Sequence, residues 1–212
     1  MSGAVRAALA GLVAAGAAAA WVLSRPAGDA LEVVDVRPIP GEPAMCPWRA
    51  PREDMAALFP DADRWQTETV SLARARRSIL ARLGPGGQIE SNTLYVHRVF
   101  RGPRHAGFVM VRRFAGGHGG VEVVVGVDPD GRVAGVRVQR HREPPSAARV
   151  LARPGWLDHF RGKTASSALR IGSDLPAPSE PATATAEALA RTVRSLLIEL
   201  AESAPAGQTP HQ

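Results

Sequence analysis

Cysteine is nearly absent from this chain, because Cys46 is the single cysteine among 212 residues. One cysteine excludes an internal disulfide, a CxxCH haem-attachment site and a thiolate zinc site. Cys46 also lies too far beyond the N-terminal hydrophobic run to act as a lipoprotein acceptor. The pattern favours a small, partly buried apolar residue at this position.

Lysine is equally scarce. Only Lys163 is a lysine, so nearly all of the 26 basic residues are arginines. A GC-rich genome accounts for much of this bias, and the alternative is a phosphate-binding surface, since guanidinium groups match phosphate oxygens. The arginines are spread along the chain without a zinc-finger, RNP-type or basic-zipper pattern. We therefore expect no nucleic-acid partner.

The histidines carry no metal-binding pattern either. The 6 histidines show no HxxxH spacing, and no carboxylate pair brackets them. Structural and catalytic metal sites need such clustered ligands. We expect no metal site.

One long hydrophobic run is present at the N-terminus. Residues 7–23 are uncharged and rich in Ala, Val and Leu. At ~1.5 Å per residue, such a helix nearly spans a ~30 Å hydrocarbon core. A cleaved signal peptide is the alternative, because small residues at 18–20 suit a cleavage site, whereas Trp21 suits a membrane interface. Segment 1–24 is thus predicted to be a membrane anchor or signal. We accordingly expect a single-pass cell-membrane protein whose domain lies in the extracytoplasmic or periplasmic space.

Composition divides the rest of the chain. Residues 25–54 are rich in Pro and Gly, which predicts an irregular tether. Residues 204–212 are polar and contain Pro, which predicts a disordered tail. The remaining segment, 55–203, is predicted to form one α+β domain with a small antiparallel sheet and packed helices.

Hydrophobic periodicity locates the elements of this domain. A helix over 71–83 should bury Leu72, Ile79, Leu80 and Leu83 and end at Gly84. Apolar stretches predict strands at 93–100, 108–113, 121–127 and 132–138, the last two joined by a tight turn at 128–131. Helical patterns follow at 145–152, 154–160 and 182–202.

His118 lies in a glycine-dense loop, residues 116–120, directly before a predicted strand. A phosphate-binding glycine loop normally follows a strand and precedes a helix, so neither a P-loop nor a Rossmann fingerprint applies. Glycines in such a loop allow close backbone approach. The approaching group is either another segment of the chain or a flat ligand.

The order of the blocks after this loop resembles the FMN-binding domain family. Its members include the G subunit of the Rnf electron-transport complex and the C subunit of the sodium-pumping NADH–quinone reductase. The matching blocks are the glycine loop, a hairpin at 124–138, a turn at 141–145, the stretch WLDHFRGKT at 156–164 and the alanine/threonine start of the final helix. The resemblance extends from about 116 to 200, and more faintly over 55–60.

The resemblance implies a covalent flavin. In the family, a flavin transferase joins FMN through a phosphoester to the threonine of an Asp-x-x-Ser-Gly-Ala-Thr motif before the last helix. Alignment on the helix puts Thr183 at that position after Ala182, with Thr185 as a second candidate. Glu180 and Pro181 replace the Ser-Gly pair of the motif.

The resemblance also implies the remaining site residues and the function. The glycine loop, with His118, Gly119 and Gly120, and the turn at Glu143 would line the flavin ring, and Lys163 would contact the ring or its phosphate. The chain would be an electron-transfer component with membrane-bound redox partners rather than a stand-alone enzyme, and it would have no catalytic side chain of its own. The alternative, favoured by the motif departures, is a degenerate member without flavin that serves as a binding or assembly module.

Overall fold

The computed structural model of the chain describes residues 50–151 and 155–203. The predicted anchor or signal segment at 1–24, the predicted tail at 204–212 and most of the predicted tether at 25–54 lie outside these residues, as does Cys46. No helix in the two described stretches is both long enough and apolar enough to cross a membrane.

Helices flank a central run of strands in this part of the chain. The elements are α1 (Arg52–Leu58), β1 (Arg64–Ser71), α2 (Arg76–Leu83), β2 (Thr93–Arg101), β3 (Arg104–Ala115), β4 (Gly120–Val127), β5 (Val133–His141), α3 (Pro145–Leu151), a 3-10 helix (Leu157–Phe160) and α4 (Thr183–Ser203). The strands form a 5-stranded sheet in the order β1-β2-β3-β4-β5, and every neighbouring pair is antiparallel. The predicted α+β class with a small antiparallel sheet and packed helices is confirmed.

One face of the sheet carries the larger core. Successive strand residues point to opposite faces, so alternate residues of β4 join the helices on this face: Val121, Val123, Val125 and Val127. The apolar stripe of α4, which includes Leu189, Val193 and Leu196, is fully buried in the same cluster. This stripe follows the helical spacing predicted for the last helix.

The opposite face carries a smaller cluster built with α1. Its buried members are Met55, Val99, Val109 and Val124. Glycines on neighbouring strands leave room for the end of α1. A Cβ at Gly135 would lie 2.7 Å from Leu58 Cδ2, and one at Gly126 would lie 3.1 Å from the Phe59 ring. The helix begins at Arg52, inside the range that was predicted as tether.

The β4–β5 turn forms as predicted. Gly131 has φ of 77°, a conformation that glycine adopts without strain. Its N–H donates to the Asp128 carbonyl at 3.1 Å. The Asp128 carboxylate accepts the N–H groups of Asp130 at 3.0 Å and Arg132 at 2.8 Å. The turn residues thus satisfy their own backbone donors.

The first part of the domain differs from the prediction. Strand β1 was not predicted, because its residues alternate without an apolar face, and no residue of β1 is buried. The predicted helix at 71–83 begins only at Arg76. Leu72 is buried where β1 ends, and within the helix Ile79 alone is buried. Gly84, with φ of 81°, ends the helix as predicted.

Candidate functional site

Three segments that the resemblance assigned to the cofactor meet at one end of the sheet. The glycine loop joins β3 to β4, with Ala115 paired to Gly120. The Glu143 turn follows β5 at the same end, where Val121 pairs with His141. The start of α4 completes the group through Thr185, which is hydrogen-bonded to the loop from 68 residues away in the sequence.

Glu143 is the centre of this group. Its side chain is 0% exposed, although it is a carboxylate. Oε1 accepts the backbone N–H of His118 at 3.2 Å, and Oε2 lies 3.0 Å from His118 Nδ1. Because an ionised carboxylate only accepts hydrogen bonds, the proton of this second bond resides on Nδ1. His118 and Glu143, both predicted as site residues, are therefore in direct contact.

Opposing effects set the pKa of Glu143. Burial alone would raise the pKa of this carboxyl group. Hydrogen bonds from the backbone and ring of His118 and from the Thr185 hydroxyl, together with the His118 charge, outweigh that effect and lower the pKa below its usual value. Glu143 is consequently a carboxylate at neutral pH.

Thr185 anchors the loop from inside the protein. Its side chain is 0% exposed. Oγ1 accepts the backbone N–H of Gly117 at 2.8 Å, while the hydroxyl also bonds to Glu143. The contact with Gly117 was not predicted, and nothing in the local sequence signals a bond between residues so far apart. Thr185 is thus part of the wall of the site.

Three of the loop glycines lie close to other segments of the chain. A Cβ on Gly116 would collide with Glu143 Oε1, one on Gly119 would lie 2.8 Å from Arg142 Cβ, and one on Gly117 would lie 3.3 Å from Ala184 Cβ. A Cβ on Gly120 would meet nothing within 4 Å. Three of the glycines therefore approach other segments of the chain, and Gly120 faces open space.

The first turn of α4 presents the candidate attachment residues. Thr183 is half-buried, and its hydroxyl donates to the Pro178 carbonyl at 3.1 Å. Ala182 is 0% exposed, and its N–H donates to the Ser179 carbonyl at 3.1 Å. Within 50–151 and 155–203, no acceptor receives the N–H groups of residues 183–185. Such N–H groups and the helix dipole favour an anion.

Lys163 lies elsewhere. Its carbonyl accepts the N–H of Val133 at 2.8 Å, and its own N–H donates to Phe160 at 3.1 Å. Val133 begins β5 and His141 ends it. Because a strand rises by ~3.3 Å per residue, the length of β5 places Lys163 roughly 26 Å from the Glu143 turn. The structure does not bring Lys163 to the other predicted site residues, because the 3-10 helix before it packs on the start of β5.

A second buried carboxylate lies on the last helix. Glu199 is 0% exposed. It accepts hydrogen bonds from Arg112 Nη1 at 2.8 Å, Arg112 Nη2 at 2.6 Å and Ser195 Oγ at 2.8 Å. The sequence contained a signal for it, since Glu199 follows the buried Leu196 at helical spacing. This pair joins α4 to β3 and was not predicted.

A groove of about 370 Å³ opens next to this pair, between α4, β3 and the loop after α2. Two of its guanidinium groups are already engaged. Arg112 binds Glu199, and Arg194 donates to the carbonyls of Leu83 and Arg82 at the end of α2. These arginines therefore serve the fold. Among the described residues, no cluster of His, Cys, Asp and Glu side chains has the makings of a metal site.

No protein-family profile matches the chain, and no curated protein matches it. The crystal structure of NqrC from Shewanella oneidensis superposes on it with a TM-score of 0.44 at 17% sequence identity, covering 69% of this chain and 81% of that one. The function of this chain has to be inferred from its own residues.

Proposed function

We propose that this chain is a membrane-anchored, extracytoplasmic FMN-binding protein that carries electrons between membrane-bound redox partners. One observation carries the proposal. The glycine loop, the Glu143 turn and the start of α4, which the sequence resemblance assigns to the flavin, are hydrogen-bonded to one another at one end of the sheet. The chain's own residues bind and orient the group, and a bound flavin supplies one- or two-electron chemistry.

The phosphate of FMN fits the first turn of α4. The N–H groups of residues 183–185 have no acceptor in the described part of the chain, so a phosphate there satisfies donors that are otherwise unpaired. The nearby Glu143 carboxylate is already hydrogen-bonded by His118 and Thr185. Lys163, at the opposite end of β5, is not part of the proposed site.

Thr183 is the proposed attachment residue if the flavin is covalent. Its side chain is half-buried and makes one hydrogen bond, to Pro178. Thr185 is fully buried, and its hydroxyl is engaged with both Gly117 and Glu143. A phosphoester at Thr183 breaks one bond, whereas a phosphoester at Thr185 requires the loop to detach.

Coexpression of the full-length chain with a flavin transferase tests the attachment. We expect ultraviolet fluorescence on a denaturing gel for the wild type, Thr183→Ser and Thr185→Val, and a dark band for Thr183→Val, because valine keeps the shape but removes the hydroxyl. Fluorescence of Thr183→Val with loss in Thr185→Val would move the attachment to Thr185. A dark wild-type band would remove the covalent link altogether.

Visible absorbance of the native protein tests FMN binding itself. A flavin band that bleaches on reduction is the expected result in protein purified under non-denaturing conditions. A colourless protein that gains no band when FMN is added would contradict the proposal.

The second candidate is a flavin-free binding or assembly module. It is favoured by the Thr183 hydroxyl, which already donates to Pro178, and by the exposed Glu180 before the helix, whose negative charge opposes an incoming phosphate. The space beside Gly116, Gly117 and Gly119 is also occupied by protein atoms, and only the space beside Gly120 is open. A dark gel together with a colourless native protein is the result that this alternative predicts.

A further inference from the structure

Strand β1 has no partner strand on one side among the residues that the structure describes. It is the terminal strand of the sheet, 8 residues long, and it contains no proline. The N–H of Leu72 donates to the Asn92 carbonyl at 2.8 Å. Because the backbone groups of successive strand residues point to alternate sides, the N–H and C=O groups of the even-numbered residues of β1 point toward β2. The backbone groups of the odd-numbered residues point outward, and no described strand pairs with them.

The other edge strand, β5, is paired at its start and contacts α1 through side chains. At the start of β5, Val133 exchanges backbone hydrogen bonds with Gly162 and Lys163, each 2.8 Å long. Farther along, Arg137 and Gln139 hold Asp54 of α1. Strand β1 lacks such cover among the described residues. An open edge of this kind is a template for another strand.

Exposed hydrophobic side chains are concentrated beside the same edge. Within the described chain, the large hydrophobic side chains that remain exposed are Trp65, at 36%, and Tyr95, at 60%. Trp65 lies on β1, and Tyr95 is paired with Thr69 of β1. Because residues 65 and 69 have the same parity, both rings belong to one face of the sheet. A strand added to β1 would cover this face at Trp65.

We propose that the occupant of this edge is a second copy of the chain, paired antiparallel through β1 about a two-fold axis at Gln66. A two-fold pair that uses the outward odd-numbered backbone groups and pairs at least three residues of each β1 centres on one of residues 65–70, and centring on 69 or 70 leaves Arg64 outside the paired segment. Centring on Gln66 places Arg64, whose guanidinium lies 4.4 Å from the Phe100 ring centroid, opposite Glu68 of the second copy, twice. Glu68 is already 3.4 Å from Arg98 of its own chain, so it would gain a second guanidinium. Centring on Glu68 places two carboxylates together, and centring on residue 65 or 67 leaves Arg64 facing an uncharged side chain. Opposite charges stabilise a cross-strand pair, and like charges destabilise it.

A disulfide tests both the pairing and its register. The full-length chain, with Cys46→Ser, receives either Gln66→Cys or, as the matched control, Thr69→Cys. Gln66 lies opposite Gln66 of the second copy in a non-hydrogen-bonded pair, where Cα atoms are ~4.5 Å apart, which is within the Cα–Cα range that a disulfide spans. Under mild oxidation in membranes, we expect most Gln66→Cys chains and almost no Thr69→Cys chains to migrate as dimers.

Charge variants provide the independent check. Glu68→Arg should abolish association, and Arg64→Glu with Glu68→Arg should restore it, measured by sedimentation of the detergent-solubilised full-length chain. Circular dichroism must show that each variant is folded. Equal cross-linking of Gln66→Cys and Thr69→Cys, absence of the Gln66→Cys dimer, or failure of the double charge variant to restore association would each overturn the proposal.

Discussion

Two of the three buried glutamates among the described residues, Glu143 and Glu199, have partners of different kinds. Glu199 is held by the two terminal nitrogens of Arg112 and by Ser195. Glu143 is held by the backbone and ring of His118 and by the Thr185 hydroxyl. The first connects a helix to the sheet, and the second connects two loops to the start of that same helix.

The two glutamates therefore differ in how much of the structure depends on each of them. The Arg112–Glu199 contact is an ion pair between two side chains, with Nη2 2.6 Å from Oε2. The partners of Glu143 include a backbone N–H and a hydroxyl, which are neutral donors. Removing a partner of Glu199 strands a buried charge, whereas removing Glu143 releases one loop. Both consequences can be measured.

The largest effect is expected for Arg112→Met. It leaves Glu199 buried without its cation, which costs about 3–5 kcal/mol of unfolding free energy. Arg191→Met is the control, because Arg191 is exposed and lies 3.8 Å from Glu187 on the same helix; a pair of that kind contributes about 0.3–0.5 kcal/mol. Urea denaturation measures both. Equal losses would mean that the buried pair does not hold α4 to β3.

A smaller, local effect is expected for Glu143→Gln. The amide cannot accept at both positions, so a donor on the glycine loop is left unpaired, at a cost of about 1–3 kcal/mol. Amide hydrogen exchange should accelerate at Gly117 and His118 while Leu196 stays protected. Glu180→Gln, which alters an exposed carboxylate, serves as the control. Accelerated exchange throughout α4 would show that Glu143 supports the whole core and not the loop alone.

The pH dependence of stability sharpens the contrast. Because the folded state lowers the pKa of Glu143, its stabilising contribution is present above the usual glutamate value of about 4.3 and is lost as the pH falls through the lower folded pKa. The stability difference between wild type and Glu143→Gln should be constant from pH 7 to 5 and shrink below about pH 4.

Two histidines affect stability at higher pH. They act equally in the wild type and in Glu143→Gln, so their contributions cancel in the stability difference between the two proteins. Burial lowers the pKa values of His97 and His105, so both proteins lose stability as the pH falls below about 6.5. Urea titrations at a series of pH values separate the loss below about pH 6.5, which both proteins share, from the loss below about pH 4, which belongs to Glu143. If the stability difference between wild type and Glu143→Gln grew below about pH 4, folding would raise the pKa of Glu143 and not lower it.

The smallest effect is expected for Gly120→Ala. A Cβ there meets nothing within 4 Å, so the unfolding free energy should change by no more than about 0.5 kcal/mol. Gly116→Ala is the matched substitution in the same loop, and its Cβ collides with Glu143 Oε1. Thermal unfolding of both variants measures how tightly the loop rests on Glu143. Equal tolerance would contradict close packing at Gly116.

Much of the fold was predictable from local patterns. Apolar alternation marked β5, a continuous apolar run marked β4, and helical spacing marked α4. Strand β1 was missed because edge strands carry little buried surface, and its residues show no apolar face. Leu72 misled the helix prediction, since its burial comes from the end of a strand and not from a helical stripe.

The site was predictable only in part. The resemblance named the glycine loop, Glu143 and the start of α4, and these segments do meet. It also named Lys163, which lies at the other end of β5. The block that contains Lys163 is adjacent to the others in sequence order, but sequence order does not specify which end of a strand a connection reaches.

By itself, the sequence determined the α+β class, the Asp128 turn and the stripe of α4, because backbone preferences and hydrophobic periodicity act over a few neighbouring residues. Only the tertiary structure decided that Glu143 would meet His118, 25 residues away, and that Arg112 would meet Glu199, 87 residues away. Those contacts depend on strand register and helix packing, and a one-residue slip in a strand turns every side chain to the opposite face.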